Sequence, residues 1–417
     1  MKYLITYDSI PYHLCHSQRK SSAVRAKSVD DTGLHLAMAD LHTVPSGSPV
    51  EAKESACVPG LAAEEGFYDC QLLGSGPEAA ESSNAWTKCE KNPGHANFIP
   101  ISEFGFAQLP EKYRTQNIVD IVKTMATLTV KLVVRKATVG RPGGFCFSLR
   151  EEVHVGSGWV IDVCKSDAPC TGCPDCIPRE EEEEETAKDK ENWYYIVLVT
   201  ANHVVYTPDE SEATEVQFFY DDKSCRKDKR MKSVHGTFIL QSKTVQDWCV
   251  LSCTTHDVGL ATVLKNNVEQ LRDMVVTEAK RNDPCDSHSS SSPDEPDHFC
   301  IMVSHPHGQP KMVTMGELQQ IDRGDKNKWG RRILSEESRL SFLESPISYT
   351  THTCPGSSGA PVFMPTQREQ RRKHSLYPLD LLEAAVIRTH SIGNISQGVG
   401  LSAGEAPMYV MPALTVT

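Results

Sequence analysis

A serine lies between glycines in the segment 356–361, whose sequence is GSSGAP. Glycines let a backbone curl so that successive N–H groups face one small concavity. Such a concavity can bind the oxyanion of a tetrahedral intermediate, and a serine hydroxyl beside it can act as a nucleophile. An exposed turn before a strand has the same composition, so the segment alone leaves both readings open. We predict Ser358 as an acyl-transfer nucleophile, with oxyanion-binding N–H groups from Gly356, Ser357 and Ser358, provided that a base and an acid accompany it.

Two further residues, His203 and Asp257, supply the base and the acid. His203 follows the apolar run 194–199, which is typical of a buried strand, and Asp257 precedes the apolar run 258–263, which we expect to be another strand. A lone histidine or aspartate at a strand end is usually a satisfied polar group, but their conjunction with the serine favours chemistry. His256 is a second candidate base, but strand alternation turns it to the opposite face. The sequence therefore predicts His203 as general base and Asp257 as the acid that orients it.

Four segments of the chain resemble the chymotrypsin-like (trypsin-fold) serine peptidases, whose order is also His, Asp, Ser. The segments are GSGWVI at 156–161, TANHVV at 200–205, DVGL at 257–260 and GSSGAP at 356–361. The histidine segment is closest to the intracellular high-temperature-requirement branch, and the resemblance covers roughly residues 115–415. It implies an all-β fold of two packed six-stranded antiparallel barrels and a serine endopeptidase that works through an acyl-enzyme. Ser357 replaces the aspartate of zymogen-type peptidases, which argues against activation by a newly cut N-terminus.

The same resemblance suggests which bond is cut. Thr353 lies five residues before the serine, and the segment that contains His390, Ser391 and Gly393 looks like the strand that lines the other side of the substrate pocket. Glutamyl endopeptidases and picornavirus-type main proteases share such a threonine and histidine. A hydroxyl and an imidazole can both donate to a side-chain carboxylate or amide oxygen. We therefore predict cleavage after Glu or Gln; the alternative is that His390 caps a strand and the pocket takes small or apolar residues.

Changes in composition divide the chain. The N-terminal part is rich in Ser, Ala and Glu without sustained periodicity, which is typical of disorder. The predicted units are a largely disordered extension (1–112), a first barrel (113–281) with a Cys- and Glu-rich insertion (164–192), a linker (282–297) and a second barrel (298–417).

Bulk properties narrow the partners. The net charge of −12 disfavours binding to nucleic acid, whose phosphates would repel the chain. No apolar run of about 20 residues spans a bilayer, and the acidic residue at position 8 comes too early for a signal peptide. We expect an intracellular protein with protein or peptide substrates, no nucleic-acid or membrane partner, no cofactor and an oligomeric state that the sequence does not indicate.

The 15 cysteines, in a chain without an apparent export signal, are expected to be mostly reduced. Four of them, Cys164, Cys170, Cys173 and Cys176, are weak candidates for a structural zinc site because two-residue gaps suit zinc knuckles. Redox-labile disulfides and free thiols fit the same spacing.

Two alternatives to an active peptidase remain at this stage. A catalytically silent member of the same fold would act as a binding or regulatory module. A scaffold would use the N-terminal extension and the Cys-rich insertion, with proteolysis incidental.

Overall fold

In a computed structural model, two antiparallel sheets of eight strands each hold most of the regular secondary structure among the described residues. The structure describes residues 67–68, 70–74, 76–138, 153–166, 193–244, 247–281, 299–321, 347–365, 386–393 and 400–402. The expected β-rich architecture is confirmed, although helices accompany it. The predicted linker at 282–297 lies outside the described residues, as does the insertion beyond Ser166 up to residue 192.

The first sheet is curled and carries the histidine. Its strands are β2 (Gln71–Leu73), β4 (Thr129–Val134), β5 (Val153–Ser166), β6 (Trp193–Thr200), β7 (Thr214–Phe218), β8 (Lys232–His235), β9 (Thr237–Lys243) and β10 (Trp248–Thr255). Their order in the sheet is β8-β7-β4-β5-β6-β10-β9, and β2 pairs with β5. Among the described strands, no pairing joins the two ends of this sheet, so it is a curled sheet rather than the predicted closed barrel of six strands.

The second sheet carries the serine, and six of its strands close into a ring. Its strands are β1 (Phe67–Tyr68), β3 (Ile99–Pro100), β11 (Phe299–Ser304), β12 (Met312–Ile321), β13 (Ile347–Tyr349), β14 (Pro361–Met364), β15 (Val386–Gly393) and β16 (Gly400–Ser402). The ring runs β15-β14-β11-β12-β13-β16, and it closes because β15 pairs with β16 as well as with β14. The additional strands β1 and β3 pair with β15 and β12.

Among the described residues, four α-helices pack around the sheets: α1 (Glu78–Thr87), α2 (Gln116–Leu128), α3 (Pro208–Glu212) and α4 (Val258–Arg281). Helix α4 occupies the segment after Asp257 that we expected to be a strand, and this expectation is wrong. The reason lies in the spacing of its buried apolar residues, which recur every three or four positions as on one face of a helix. They are Leu260, Leu264, Val268, Leu271 and Val275.

One continuous apolar core joins the two sheets. It includes Trp159 on β5, Leu198 on β6 and Ile301 on β11, all fully buried. The Trp159 indole N–H also donates to Thr389 Oγ1 on β15 at 3.2 Å. The two sheets are therefore held together by shared packing as well as by a hydrogen bond.

Part of the N-terminal extension, residues 67–68, 70–74 and 76–112, is ordered, whereas we predicted that the extension is largely disordered. Its helix α1 is attached to the first sheet by Glu78, whose carboxylate lies 2.6 Å from Lys131 Nζ and 2.5 Å from an Arg226 nitrogen. The Lys131 side chain is only 1% exposed. Sequence periodicity could not predict this attachment, because it depends on ion pairing with distant residues rather than on an apolar face. Within the described residues, no helix is long and apolar enough to cross a membrane.

Replacing Glu78 with glutamine should destabilise the fold. The change leaves the buried Lys131 ammonium without its carboxylate, and breaking such a pair typically costs about 3 kcal/mol or more. Burial raises the pKa of Glu78, but Lys131 and Arg226 outweigh it and hold the pKa below its usual value. The contribution of Glu78 to the free energy of unfolding is therefore complete at neutral pH, and it is lost as the pH falls through the pKa of Glu78 in the folded protein.

Urea unfolding at neutral and acidic pH tests this prediction. Glu81→Gln, in the same helical turn, is the matched control and should unfold like the wild type. Equal stability of Glu78→Gln and the wild type at neutral pH would contradict the attachment.

Candidate active site

His203 lies in the turn after β6, and its ring contacts both the predicted nucleophile and a carboxylate. His203 Nε2 is 2.7 Å from Ser358 Oγ, and His203 Nδ1 is 2.7 Å from Asp247 Oδ2. Asp247 Oδ1 also accepts the backbone N–H of His203 at 2.9 Å. A carboxylate on Nδ1 favours the tautomer with the proton on Nδ1, so that Nε2 can accept the serine proton. The three residues form one continuous hydrogen-bond chain.

Strand register places Asp247 next to His203. Asp247 immediately precedes β10, which runs antiparallel to β6 with Cys249 opposite Thr200. The beginning of β10 therefore lies beside the end of β6, where His203 follows. The backbone of Asp247 has φ 49°, a left-handed conformation that Asp and Asn tolerate, and its carbonyl accepts the Asn202 N–H at 3.2 Å.

Asp257, the acid predicted from sequence, occupies a different place. Its Oδ1 accepts the backbone N–H of Leu260 at 2.9 Å at the start of α4, and its Oδ2 lies 3.0 Å from Lys232 Nζ. The hydrogen bond from Leu260 and the Lys232 ammonium lower its pKa. Asp257 is thus a helix N-cap, and the structure corrects the assignment of the histidine's partner to Asp247.

The error had a specific cause. Both Asp247 and Asp257 precede apolar runs, and the DVGL segment at 257–260 resembles the family pattern more closely. The helical spacing of the apolar residues after Asp257 was the available signal against it. A local motif could not reveal that β10, which follows Asp247, pairs with β6, whereas Asp257 precedes helix α4.

The turn that carries Ser358 requires glycine at two positions. Gly356 has φ 98° and Gly359 has φ 87°, both in the left-handed region. A Cβ atom at Gly356 would lie 2.5 Å from the His305 carbonyl oxygen, and one at Gly359 would lie 2.0 Å from the Ser157 carbonyl oxygen. The two glycines are therefore needed for conformation and for close backbone approach.

Ser157, in the middle of β5, holds this turn against the first sheet. Its hydroxyl donates to the Gly356 carbonyl at 2.7 Å and accepts the His305 N–H at 2.9 Å. Its backbone N–H donates to the Ser358 carbonyl at 2.7 Å, and its carbonyl accepts Thr200 Oγ1 at 2.7 Å. The GSGWVI segment thus positions the turn that carries Ser358, a role that its sequence did not indicate.

The N–H groups predicted to bind an oxyanion differ in their availability. The Ser357 N–H donates to the Cys354 carbonyl at 2.9 Å, within the turn. Its hydroxyl lies 3.2 Å from Ser304 Oγ and accepts the Cys354 N–H at 3.3 Å. Ser357 therefore stabilises the turn, and the structure gives its N–H a different partner from the one predicted.

The predicted specificity residues Thr353 and His390 are both buried near the turn. Thr353 Oγ1 accepts from Lys91 Nζ at 2.9 Å. His390 Nδ1 lies 2.6 Å from the Tyr349 hydroxyl, and the His390 carbonyl accepts the Gly359 N–H at 2.8 Å. The sequence reasoning missed Tyr349, and it missed Lys91 because the extension was expected to be disordered.

Ser391 and Gly393, which we predicted to line the substrate pocket together with His390, lie in β15 as His390 does. Gly393 pairs with Phe67 on one side and Gly400 on the other. Their contribution to a pocket stays a prediction.

The Cys-rich cluster is only partly described. Cys164 lies in β5, 3.7 Å from an Asp162 carboxylate oxygen, and burial together with that carboxylate raises the pKa of its thiol to about 11. Such a thiol is a poor thiolate ligand at neutral pH. Cys170, Cys173 and Cys176 lie outside the described residues.

We expect Asp247→Asn to abolish the strong hydrogen bond at His203 Nδ1, whereas Asp257→Asn leaves it intact. Asparagine tolerates the φ of Asp247 and still caps a helix at position 257, so neither change should disturb the backbone. The measurement is proton NMR of the downfield Nδ1–H resonance of His203. A resonance that survives in Asp247→Asn and disappears in Asp257→Asn would contradict the assignment.

Part of the chain is similar to a known domain family. Residues 188–369 match the trypsin-like peptidase domain, a range that includes His203, Asp247 and Ser358. Among solved structures, the chain is similar to the Rv3671c protease in its inactive form, with 12% identity, coverage of 70% of this chain and 90% of that chain, and a TM-score of 0.31. No curated protein matches the chain significantly. Residues 188–369 of the chain are thus similar to a trypsin-like peptidase domain.

Proposed function

We propose that this protein is a serine endopeptidase that cleaves peptide bonds through an acyl-enzyme. The observation that carries the proposal is the unbroken chain Asp247–His203–Ser358, with 2.7 Å at both side-chain contacts of the imidazole. A nucleophile bonded to a base that is itself oriented by an acid is the arrangement required for nucleophilic catalysis. The trypsin-like peptidase domain over the same residues supports the same reaction.

The first half of the reaction follows from this geometry. Ser358 Oγ attacks the scissile carbonyl carbon while its proton passes to His203 Nε2. The carbonyl π bond becomes an oxyanion, and the Asp247 carboxylate stabilises the imidazolium that forms. Collapse of the tetrahedral intermediate breaks the C–N bond, and the proton on Nε2 transfers to the leaving amine. The acyl group then remains on Ser358 as an ester.

Water completes the reaction by the same steps. His203 Nε2 takes a proton from the attacking water and returns it to Ser358 Oγ as the ester bond breaks. We assign stabilisation of both oxyanions to the backbone N–H groups of Gly356 and Ser358. Each such donor typically contributes about 10²–10³ in rate.

The same proposal includes cleavage after Glu or Gln. A Tyr349 hydroxyl that donates to His390 Nδ1 holds the imidazole as the tautomer with its proton on Nε2, which can donate to a substrate oxygen. The Lys91 ammonium, 2.9 Å from Thr353 Oγ1, adds a positive charge beside that residue. A cation there favours a glutamate side chain over glutamine.

A fluorophosphonate probe tests the nucleophile. We expect covalent labelling of Ser358 in the folded wild type, none in Ser358→Ala, and a reduction of about 10⁴-fold in the labelling rate of Asp247→Asn, because the imidazole tautomer is then wrong. Asp257→Asn should label at the wild-type rate. Labelling is followed by intact mass and the site by peptide mapping.

The same experiment separates the silent alternative. Ser252→Ala, which removes a buried hydroxyl on β10, is the control for loss of an unrelated serine and should still label. A folded wild type that does not react with the probe would favour a binding or regulatory module of the same fold.

A peptide library tests the specificity. We expect enrichment of Glu and Gln before the cut, a loss of about 10–100-fold in kcat/KM for these substrates in His390→Ala, and a smaller loss in Tyr349→Phe, which retains the imidazole. Lys91→Gln should lower the preference for Glu over Gln. A library with no such enrichment, or unchanged cleavage after Glu and Gln by His390→Ala, would remove this part of the proposal.

A further inference from the structure

Two cysteines and two histidines converge behind the nucleophile turn. They are Cys89, His95, His307 and Cys354, and their donor atoms all lie within 4.8 Å of one another. Three of the four residues are buried and Cys89 is half-buried, so the cluster is enclosed but has one side near solvent. We propose that these four residues bind a structural Zn²⁺ ion.

Two of the distances between the donor atoms match those of a tetrahedral zinc ion. With Zn–S near 2.3 Å and Zn–N near 2.0–2.1 Å, tetrahedral geometry places two sulfurs about 3.8 Å apart and a sulfur and a nitrogen about 3.6 Å apart. Cys89 Sγ and Cys354 Sγ lie 3.6 Å apart, and Cys354 Sγ lies 3.5 Å from His95 Nε2. Two thiolates and two imidazoles are a structural zinc ligand set, and the thiolates neutralise the dication.

The neighbours of the four residues already orient them as ligands. His307 Nδ1 lies 2.7 Å from Gln71 Oε1, which fixes the proton on Nδ1 and assigns Nε2 to the metal. The Asn92 backbone N–H points to Cys89 Sγ at 3.3 Å, and its side-chain amide points to Cys354 Sγ at 3.1 Å. Donors directed at both sulfurs stabilise thiolates.

The two histidine rings are also fixed in place. Trp86 stacks on His95 with ring centroids 3.5 Å apart and planes 10° apart. The His307 backbone has φ 54°, and its carbonyl accepts Ser82 Oγ of α1 at 2.5 Å. A left-handed residue held by hydrogen bonds on both sides presents its ring in one direction.

A metal at this position would connect three segments that meet at the nucleophile. Cys89 and His95 belong to the N-terminal extension. His307 lies in the loop after β11, and its backbone N–H donates to the Pro355 carbonyl at 2.5 Å. Cys354 is at the start of the turn that carries Ser358, and its backbone carbonyl accepts the Ser357 N–H. The site differs from the Cys-rich cluster of 164–176, and it explains why an extension without a sequence pattern folds onto the peptidase domain.

Metal analysis of the full chain, purified without a histidine tag or chelator, tests the proposal directly. We expect the wild type to contain zinc, and Cys89→Ser and His95→Gln each to lose about one equivalent relative to it. Cys164→Ser should retain the wild-type amount. Replacement of zinc by Co²⁺ should give the intense visible bands of tetrahedral cobalt and a thiolate-to-cobalt charge-transfer band in the near ultraviolet.

Ser358→Ala separates this inference from the proposed function. The variant is expected to be inactive yet to bind zinc and cobalt as the wild type does, and removal of its zinc should lower Tm reversibly. A wild type without zinc, a cobalt spectrum without thiolate charge transfer, or a Cys89→Ser variant with the wild-type zinc content would overturn the proposal. A Cys89–Cys354 disulfide in non-reducing peptide maps would also overturn it. If a variant fails to fold, the cobalt spectrum of the wild type still shows whether thiolates bind the metal.

Discussion

The hydrogen bonds of Ser157 are the interaction on which the rest of the site depends. His203 and Asp247 flank strands of the first sheet, while Ser358 precedes a strand of the second, so the 2.7 Å contact between His203 and Ser358 exists only if the two sheets are in register. Ser157 contributes its N–H and its hydroxyl to that register, and its carbonyl accepts Thr200 Oγ1 within the first sheet. Substitution of neighbouring Gly156 would disturb the same contact, since a Cβ there would lie 2.6 Å from a Val204 side-chain carbon.

Around this contact, further hydrogen bonds fix the residues of the site. Asp247 uses both carboxylate oxygens on His203, so neither the ring nor the backbone of the base can rotate without loss of a hydrogen bond. Ser357 satisfies the interior of the nucleophile turn, and His390 accepts the Gly359 N–H at the other end. The turn is thus preorganised before a substrate arrives, which is the condition under which backbone dipoles are most effective.

The sequence predicted the parts of this site that depend on local patterns. His203 and Ser358 each lie at the end of a strongly apolar or glycine-rich segment, and the structure brings them together. Asp247 could not be distinguished from Asp257 because strand pairing between β6 and β10 is a long-range property, whereas the DVGL motif is local. The helix at 258–281 was detectable from its apolar spacing, although we expected residues 258–263 to form a strand. Cys89 and His95 escaped notice because their partners, His307 and Cys354, are more than 200 residues away along the chain.

Acyl transfer to Ser358 is tested most directly by the pre-steady-state release of product from an activated ester. An acyl-enzyme mechanism predicts a burst of one product molecule per chain, followed by slow turnover, with the acyl group found on Ser358 by mass spectrometry. Linear release without a burst, or an acyl group on any other residue, would contradict the account.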